Sequence, residues 1–391
     1  MFDFLKEAYD LFEFTRQWRR DFHRHPELGF QEVRTAGIVA RELNQLGLEV
    51  TTGVGKTGVV ALLEGVRPGP VVLLRFDMDA LPIQEETGAE YSSERPGVMH
   101  ACGHDGHTAI GLTVARLLEA QRGSLAGMVK FVFQPAEEGL GGAQAMIADG
   151  VLESPRPDVS LALHLWNEKP AGWLGVPAGP LMAAGELFQL RISGRGGHGA
   201  APHLAIDPLL AAAQIITALQ SIVARNVAPL KSAVISVTSV KGGEAFNVIP
   251  STVDMKGTIR TFEPQVRALV LERLTQVVTG VAQAMGCQVE VVVQPLTPAV
   301  VNDAGVAQRI QAVAAKLLPG SIVDTTESSM ISEDMAEMMQ DIPGCYFLIG
   351  SANTGKGLNA AHHHPRFDFD EEVLPPAAAL MASAAAEFLR G

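Results

Sequence analysis

Cysteine is scarce in this chain. Cys102, Cys287 and Cys345 are the only three in 391 residues. Three scattered thiols cannot build the disulfide framework of a small secreted domain, so a reducing, cytoplasmic compartment is the expectation. Basic charge is also in short supply. A formal net charge of −13 argues against nucleic acid and against an anionic membrane surface, since both attract basic patches. The longest apolar stretch, PLLAAAQIITALQSIVA, is broken by Gln214, Thr217 and Gln220 and reads as a buried helix, not a membrane span. The N-terminus, MFDFLKEAYDLFEF, mixes acidic with apolar residues and has no basic opening, which is not the pattern of a signal peptide. G-x-S-x-G and H-E-x-x-H are both absent, and with them the two commonest hydrolase signatures. No internal repeat or low-complexity tract is evident.

What is present suits a large core. The chain is 47% hydrophobic and 19% charged, and its length exceeds what one ordinary core takes, so two domains are expected. Helical spacing runs through residues 3 to 24 and 31 to 46. Short β-branched runs then alternate with helical stretches: GVVALLEG, VVLLRFDMDA, a helix after Asp105, MVKFVFQ, a helix near GGAQAMIADG, and VSLALHLW. This alternation predicts an α/β fold, with a mixed, mostly parallel sheet and helices on both faces. Ligands in such sheets bind beyond the carboxyl ends of the strands, where Asp77, Asp79, Glu137, Glu138 and His164 fall. From about residue 185 the pattern becomes a compact β-α-β-β-α-β unit, after which helix–strand–helix returns. The expected organisation is a first catalytic part at 1–184, an inserted lid at 185–297, and a second catalytic part at 298–391.

One tempting motif leads nowhere. GVGKTG, residues 53 to 58, matches G-x-G-x-x-G, but a phosphate loop must open a helix. Here a strand follows, and the first glycine position of a P-loop is Val50, so a turn is expected. The stretch VMHACGHDGHTAIGL, residues 98 to 112, is richer. Cys102 has no partner cysteine nearby, which speaks against a closed structural zinc site. Cys102 and His104, two apart, can face one ion, while His107, one helical turn on, is expected to pack or hydrogen-bond; a plain helix-capping loop with Asp105 as N-cap is the alternative. In FVFQPAEEGLGG two adjacent carboxylates follow a buried strand. They would repel each other unless a cation lay between them, and one can then ligate while Glu137 serves as a general base. His164 ends another apolar strand, His362, His363 and His364 cluster near the C-terminus, and Asp77 and Asp79 share one side of a strand, suited to orienting a ligating histidine.

Taken in order, DMDALP, HACGHDGHTA, FQPAEEGLGGA, GRGGHGAAPH, NVIP with GTIRT, and HHPRFDFDEE resemble the hippurate hydrolase, aminoacylase and auxin-conjugate amidohydrolase group of the co-catalytic metallopeptidases. The resemblance spans nearly the whole chain. It implies a zinc-exopeptidase-like catalytic domain interrupted by a ferredoxin-like lid that in relatives often makes a homodimer. It also implies the metal ligands Cys102, His104, Glu138, His164 and, two residues before Pro365, His363. Glu137 matches the general base, His198 a lid residue that reaches the substrate carbonyl, and Asn247 and Arg260 substrate-binding lid positions; Arg260 suits a carboxylate. The implied cofactor is one or two divalent ions, zinc first, with manganese, cobalt or nickel as alternatives. The implied substrate is an N-acyl amino acid or short peptide. A dipeptidase or carboxypeptidase, another metal-dependent C–N hydrolase, and a non-catalytic binding protein of the same fold are the rivals. The broader class opens with His-x-Asp where this chain has Asp77-Met78-Asp79, and bridges its ions with aspartate where this chain offers Cys102 and His104. Met335 and Gly185-Glu186 also depart from the common pattern, near the expected substrate cleft.

Overall fold

The computed structural model describes residues 3–390. The chain divides into two compact units, one holding the chain up to Leu181 with Val301–Ser328 and Asp334 onward, the other Met182–Val300 with Ser329–Glu333. The short segment Ser329–Glu333 is one the sequence reading left with the first unit. It joins the second because the Ala183 amide donates to the carbonyls of Ser329 and Ile331, at 3.1 and 3.0 Å.

The first unit is built on an eight-stranded sheet. Its order is Glu49–Val54, Gly58–Glu64, Ala126–Gln134, Arg67–Asp77, Val159–Pro170, Gly344–Ala352, Trp173–Gly175 and Ile322–Asp324. The central neighbours Ala126–Gln134, Arg67–Asp77, Val159–Pro170 and Gly344–Ala352 run parallel, and the first two strands pair antiparallel as a hairpin. Burial on both faces explains the unbroken apolar character of the central strands: Val72, Leu73 and Leu74 are fully buried, as are Phe131, Val132 and Phe133. GVGKTG is the turn of that hairpin and opens no helix. The helix His104–Ala120 is buried along almost its whole length, and the Ala-rich helix Leu374–Phe388, itself buried at Ala377, Ala378 and Leu380, packs against it.

The second unit is a four-stranded antiparallel sheet in the order Ala233–Lys241, Thr252–Thr261, Ala184–Ser193, Gln288–Thr297. Helices Pro208–Arg225 and Pro264–Ala284 cover one face, giving the ferredoxin-like arrangement. Strand alternation is plain in Thr252–Thr261, where Val253, Met255 and Ile259 face the core. The helix Pro208–Arg225, expected to be buried, buries only one stripe of Ala211, Ala212, Ile215, Leu219 and Ile222. It is long and apolar enough to cross a membrane by length and composition, yet only 33% of it is buried. Its opposite side carries the exposed Leu209 and Leu210.

Candidate metal centre

Three turns near the carboxyl ends of the central strands bring most of the predicted donors together. His164 projects instead from within the strand Val159–Pro170, which continues past it and does not end there as expected. The helix His104–Ala120 starts at Gly103, whose φ of 95° is open to glycine at little cost. The N-cap is thus Gly103 and not Asp105, and His104 becomes the first helical residue. The strand Ala126–Gln134 ends at a corner where Ala136 takes φ 54°. A non-glycine residue there stores about 1–3 kcal/mol of strain and calls for compensation by its surroundings. The terminal histidines are tied back by the His363 amide, which donates to the Ala101 carbonyl at 2.8 Å.

One donor atom each from Cys102, His104 and His164 lies within 4.8 Å of the others, as do those of Cys102, Glu138 and His363 and those of His104, Glu137 and Glu138. Cys102, His104 and Glu138 each belong to two of these overlapping sets. The sulfur of Cys102 is 3.5 Å from His164 Nε2, and His363 Nε2 is 3.1 Å from Glu138 Oε1. The five predicted ligands therefore converge, although they come from four remote stretches of chain.

Hydrogen bonds decide which ring nitrogen each histidine presents. His104 donates from Nδ1 to the Asp79 carbonyl at 2.9 Å, and His164 from Nδ1 to the Leu165 carbonyl at 2.7 Å. Both leave Nε2 as the coordinating lone pair. His104 Nε2 is buried with no hydrogen-bond partner, a costly state for a polar atom unless a cation meets it. In the terminal cluster, His362 turns inward to donate to the Leu165 carbonyl at 3.0 Å, and His364 Nδ1 accepts from the Arg366 amide. Only His363 of the three reaches Glu138.

The electrostatics ask for positive charge at this point. Burial opposes the charged form of His104, but Asp77, Asp79 and Glu138 outweigh it and raise its pKa to about 10. Burial, with the charges of Glu138 and Glu137, pushes the Cys102 thiol well above its ordinary value. Burial and neighbouring imidazoles hold His164 well below the usual histidine range, so it stays neutral. A bound dication would reverse the first two shifts, favouring a neutral His104 and a Cys102 thiolate. The donor set of thiol, imidazoles and carboxylate thus fits a divalent metal.

The two aspartates divide their work differently from the expectation. Asp77 accepts from Nδ1 of His107 at 2.6 Å, and His107 Nε2 in turn accepts from the Leu165 amide at 2.9 Å. Asp77 thus braces His107, which packs and hydrogen-bonds, while its other oxygen lies 3.8 Å from Nε2 of the predicted ligand His104. Burial opposes the charge on Asp77, yet His104, His107 and Arg75 hold its carboxyl well below the usual range. Asp79 supports His104 through its carbonyl, with Oδ1 3.3 Å from the same nitrogen, and accepts from the Glu138 amide at 3.0 Å.

Beneath the donors lies a buried charge network that the sequence reading did not single out. Arg19 is 0% exposed and pairs with Asp105 at 3.0 Å, Asp368 at 2.6 Å and Glu371 at 3.2 Å. Its guanidinium also lies over the rings of Tyr91 and Phe369. His23 joins Asp105 at 2.7 Å and Glu85 at 3.3 Å. A clue stood in RRDFHRHPELGF, where a basic cluster lies within an amphipathic helix, but nothing local in it names Asp105 or Asp368.

The predicted residues His198, Asn247 and Arg260 belong to the second unit. His198 is exposed on the short strand Gly197–His198, opposite Val248, and its Nδ1 accepts from the Ala200 amide at 3.1 Å. That leaves Nε2 as the nitrogen able to donate. Asn247 is exposed and engages Gly199 only through its backbone carbonyl, at 2.8 Å. Arg260 is half-buried and donates to the Ile259 carbonyl at 3.0 Å and to the Thr258 hydroxyl. Met335 and Glu186, expected beside a substrate cleft, are both buried, and Glu186 is ion-paired to Arg267.

Residues 73–387 match the sequence profile of peptidase family M20/M25/M40. The chain belongs to this family. It is 42% identical to an N-acetylcysteine deacetylase of Bacillus subtilis, with 94% of each chain covered. It is 38% identical to thermostable carboxypeptidase 1 of Saccharolobus solfataricus, covering 95% of this chain and 94% of the relative. Among solved M20 structures, the Bacillus subtilis YXEP protein, described as a dinuclear metal-binding peptidase, superposes with a TM-score of 0.85 at 38% identity, covering 97% of this chain and 99% of that one. The pairing of a parallel-centred α/β sheet with a four-stranded antiparallel unit is therefore the M20 peptidase fold.

Proposed function

We propose that this member of the M20 family is a metal-dependent amidohydrolase that cleaves the amide bond of N-acyl amino acids. The observation that carries this reading is the convergence of Cys102, His104, Glu138, His164 and His363, with the Glu137 carboxylate inside the same cluster. These five residues would hold one or two divalent ions, zinc first among them. When bound, such a cation supplies the charge that polarises an amide carbonyl and acidifies a water. Glu137 takes the water proton and later delivers it to the departing amine. His198 donates from Nε2 to the carbonyl oxygen as negative charge develops there. Arg260 holds the free carboxylate of the substrate, and Asn247 adds a polar contact.

The identities to a deacetylase and to a carboxypeptidase support amide-bond chemistry on small substrates. They leave carboxypeptidase activity as the second reading. The exposed apolar residues Leu209, Leu210, Phe246 and Val248 of the second unit support a homodimer or higher homo-oligomer, and the three free thiols support a cytoplasmic location. The decisive experiment strips the protein with a chelator and restores zinc, manganese, cobalt or nickel one at a time. N-acetyl amino acids, hippurate and dipeptides are then assayed side by side. Restored N-acyl cleavage, together with a loss of about 10²–10⁴-fold in turnover for Glu137→Gln at unchanged metal content, is the expected result. Full activity of Glu137→Gln would refute the mechanism.

A further inference from the structure

The corner that carries Glu137 is held by a carboxylate that no part of the proposed chemistry uses. Glu32 is 0% exposed, and its Oε1 accepts from the Ala136 amide at 2.9 Å while Oε2 accepts from the Thr57 hydroxyl at 2.6 Å. Ala136 is the residue at φ 54°, directly before the glutamate pair. Thr57 lies in the GVGKTG turn, so the motif that does not bind phosphate supplies the pin for Glu32. On the far side of Glu137, Asp79 accepts from the Glu138 amide at 3.0 Å. Packing closes the remaining freedom. A Cβ on Gly29 would stand 2.8 Å from Leu140 Cδ1 and 3.1 Å from Ala136, so glycine there allows the corner to seat against the chain just before Glu32.

We propose that Glu32 is a positioning residue for Glu137, acting through the Ala136 amide to keep the backbone in the left-handed turn that aims the Glu137 carboxylate. The inference rests on Glu137 being the base of the proposed reaction. A backbone N–H bonded to a buried carboxylate is a strong, directional contact. Without it Ala136 has every steric reason to relax to negative φ, which would swing Glu137 away while leaving Glu138 on its Asp79 tether. Metal content is therefore expected to survive the loss of Glu32, and turnover is not. This pattern separates positioning of the base from general support of the centre.

The test uses the full-length protein loaded with zinc and an N-acetyl amino acid as substrate. Glu32→Gln keeps an acceptor at the Ala136 amide and is expected to retain kcat. Glu32→Asp keeps the charge but falls short of the amide, and Glu32→Ala removes it. Both should lose up to about 100-fold in kcat, the scale of an ångström-sized misplacement, with KM and bound zinc unchanged. Hydrogen exchange of the peptide spanning residues 132 to 140, measured on metal-free protein, should rise in Glu32→Asp and Glu32→Ala and not in Glu32→Gln. Combined with Glu137→Gln, Glu32→Asp should cost nothing further, because it acts only through the missing base. Native kcat in Glu32→Asp, unchanged exchange, or a full additional loss in the double variant would overturn the proposal. An active Glu137→Gln would remove the proposed function and this inference together, whereas an inactive Glu137→Gln beside a fully active Glu32→Asp removes the inference alone.

Discussion

The floor under the metal centre and the sheet of the inserted unit are built on opposite plans. Below His104, the first unit buries Arg19, His23, Arg75, Asp77, Asp105 and Asp368, each locked to partners from distant chain. The inserted unit is held by an apolar layer around Phe188, Leu190, Ile192, Ile215 and Leu274, and its predicted substrate residues His198 and Asn247 stand exposed. Burying ions costs desolvation that a hydrophobic replacement avoids. A chain that does so repeatedly under one cluster of donors is fixing their geometry. The inserted unit spends little on fixing its polar groups and presents them outward, as suits residues that meet a mobile ligand.

The sharpest way to break the comparison is Arg19→Met. It leaves Asp368 buried without its counter-charge and Asp105 with His23 alone, a change expected to cost about 3–5 kcal/mol in urea denaturation and to weaken zinc binding alongside. Loss of well under 1 kcal/mol would show that the buried network is dispensable. Next in size is His198→Ala. Removing one donor to a developing oxyanion should lower kcat by about 10²–10³-fold while stability stays within about 0.5 kcal/mol, as for a surface change. A marked fall in melting temperature would place His198 in the structural framework instead.

The smallest effect is in pH. Burial works against a charged His23, but Asp105 and Glu85 outweigh it and raise the pKa to about 9. Burial likewise works against a charged Glu85, and its hydrogen bond to His23 lowers the pKa to about 2. The His23 contribution is complete below its ordinary value near 6.5 and fades as pH rises through 9. That of Glu85 is complete above about 4.5 and fades as pH falls through 2. Stability from this pair should therefore be greatest between pH 4.5 and 6.5. Native protein should lose stability from pH 7 to 9 relative to His23→Gln, and parallel curves for the two would discount the pair.

Spacing within the chain carried the local part of this protein. Alternating strands and helices spelled an α/β sheet because buried parallel strands must be continuously apolar. The β-α-β-β-α-β run spelled the second unit in the same way. Cys102 with His104, the Glu137–Glu138 pair and the histidine cluster were legible because thiol, imidazole and carboxylate are the side chains that ligate divalent metals, and the chain spaces them closely. Other features depended on partners far along the chain. Arg19 meets Asp368 across 349 positions and Asp105 across 86, and no periodicity encodes such a pairing. The inward turn of His362 against the outward reach of His363, the bracing of His107 by Asp77, and the hold of Glu32 on Ala136 follow from where three separate turns come to rest. The helix Pro208–Arg225 shows the same limit from the apolar side, since composition measured its hydrophobicity and only packing decided which stripe is covered. The amino-acid order thus determined which elements form and which chemical groups are available, because backbone preference and side-chain chemistry are local. Tertiary structure alone decided which ring nitrogen each histidine leaves unbonded to the backbone and which carboxylate pins the Ala136 corner, because hydrogen bonds act over about 3 Å between residues that the chain itself keeps far apart.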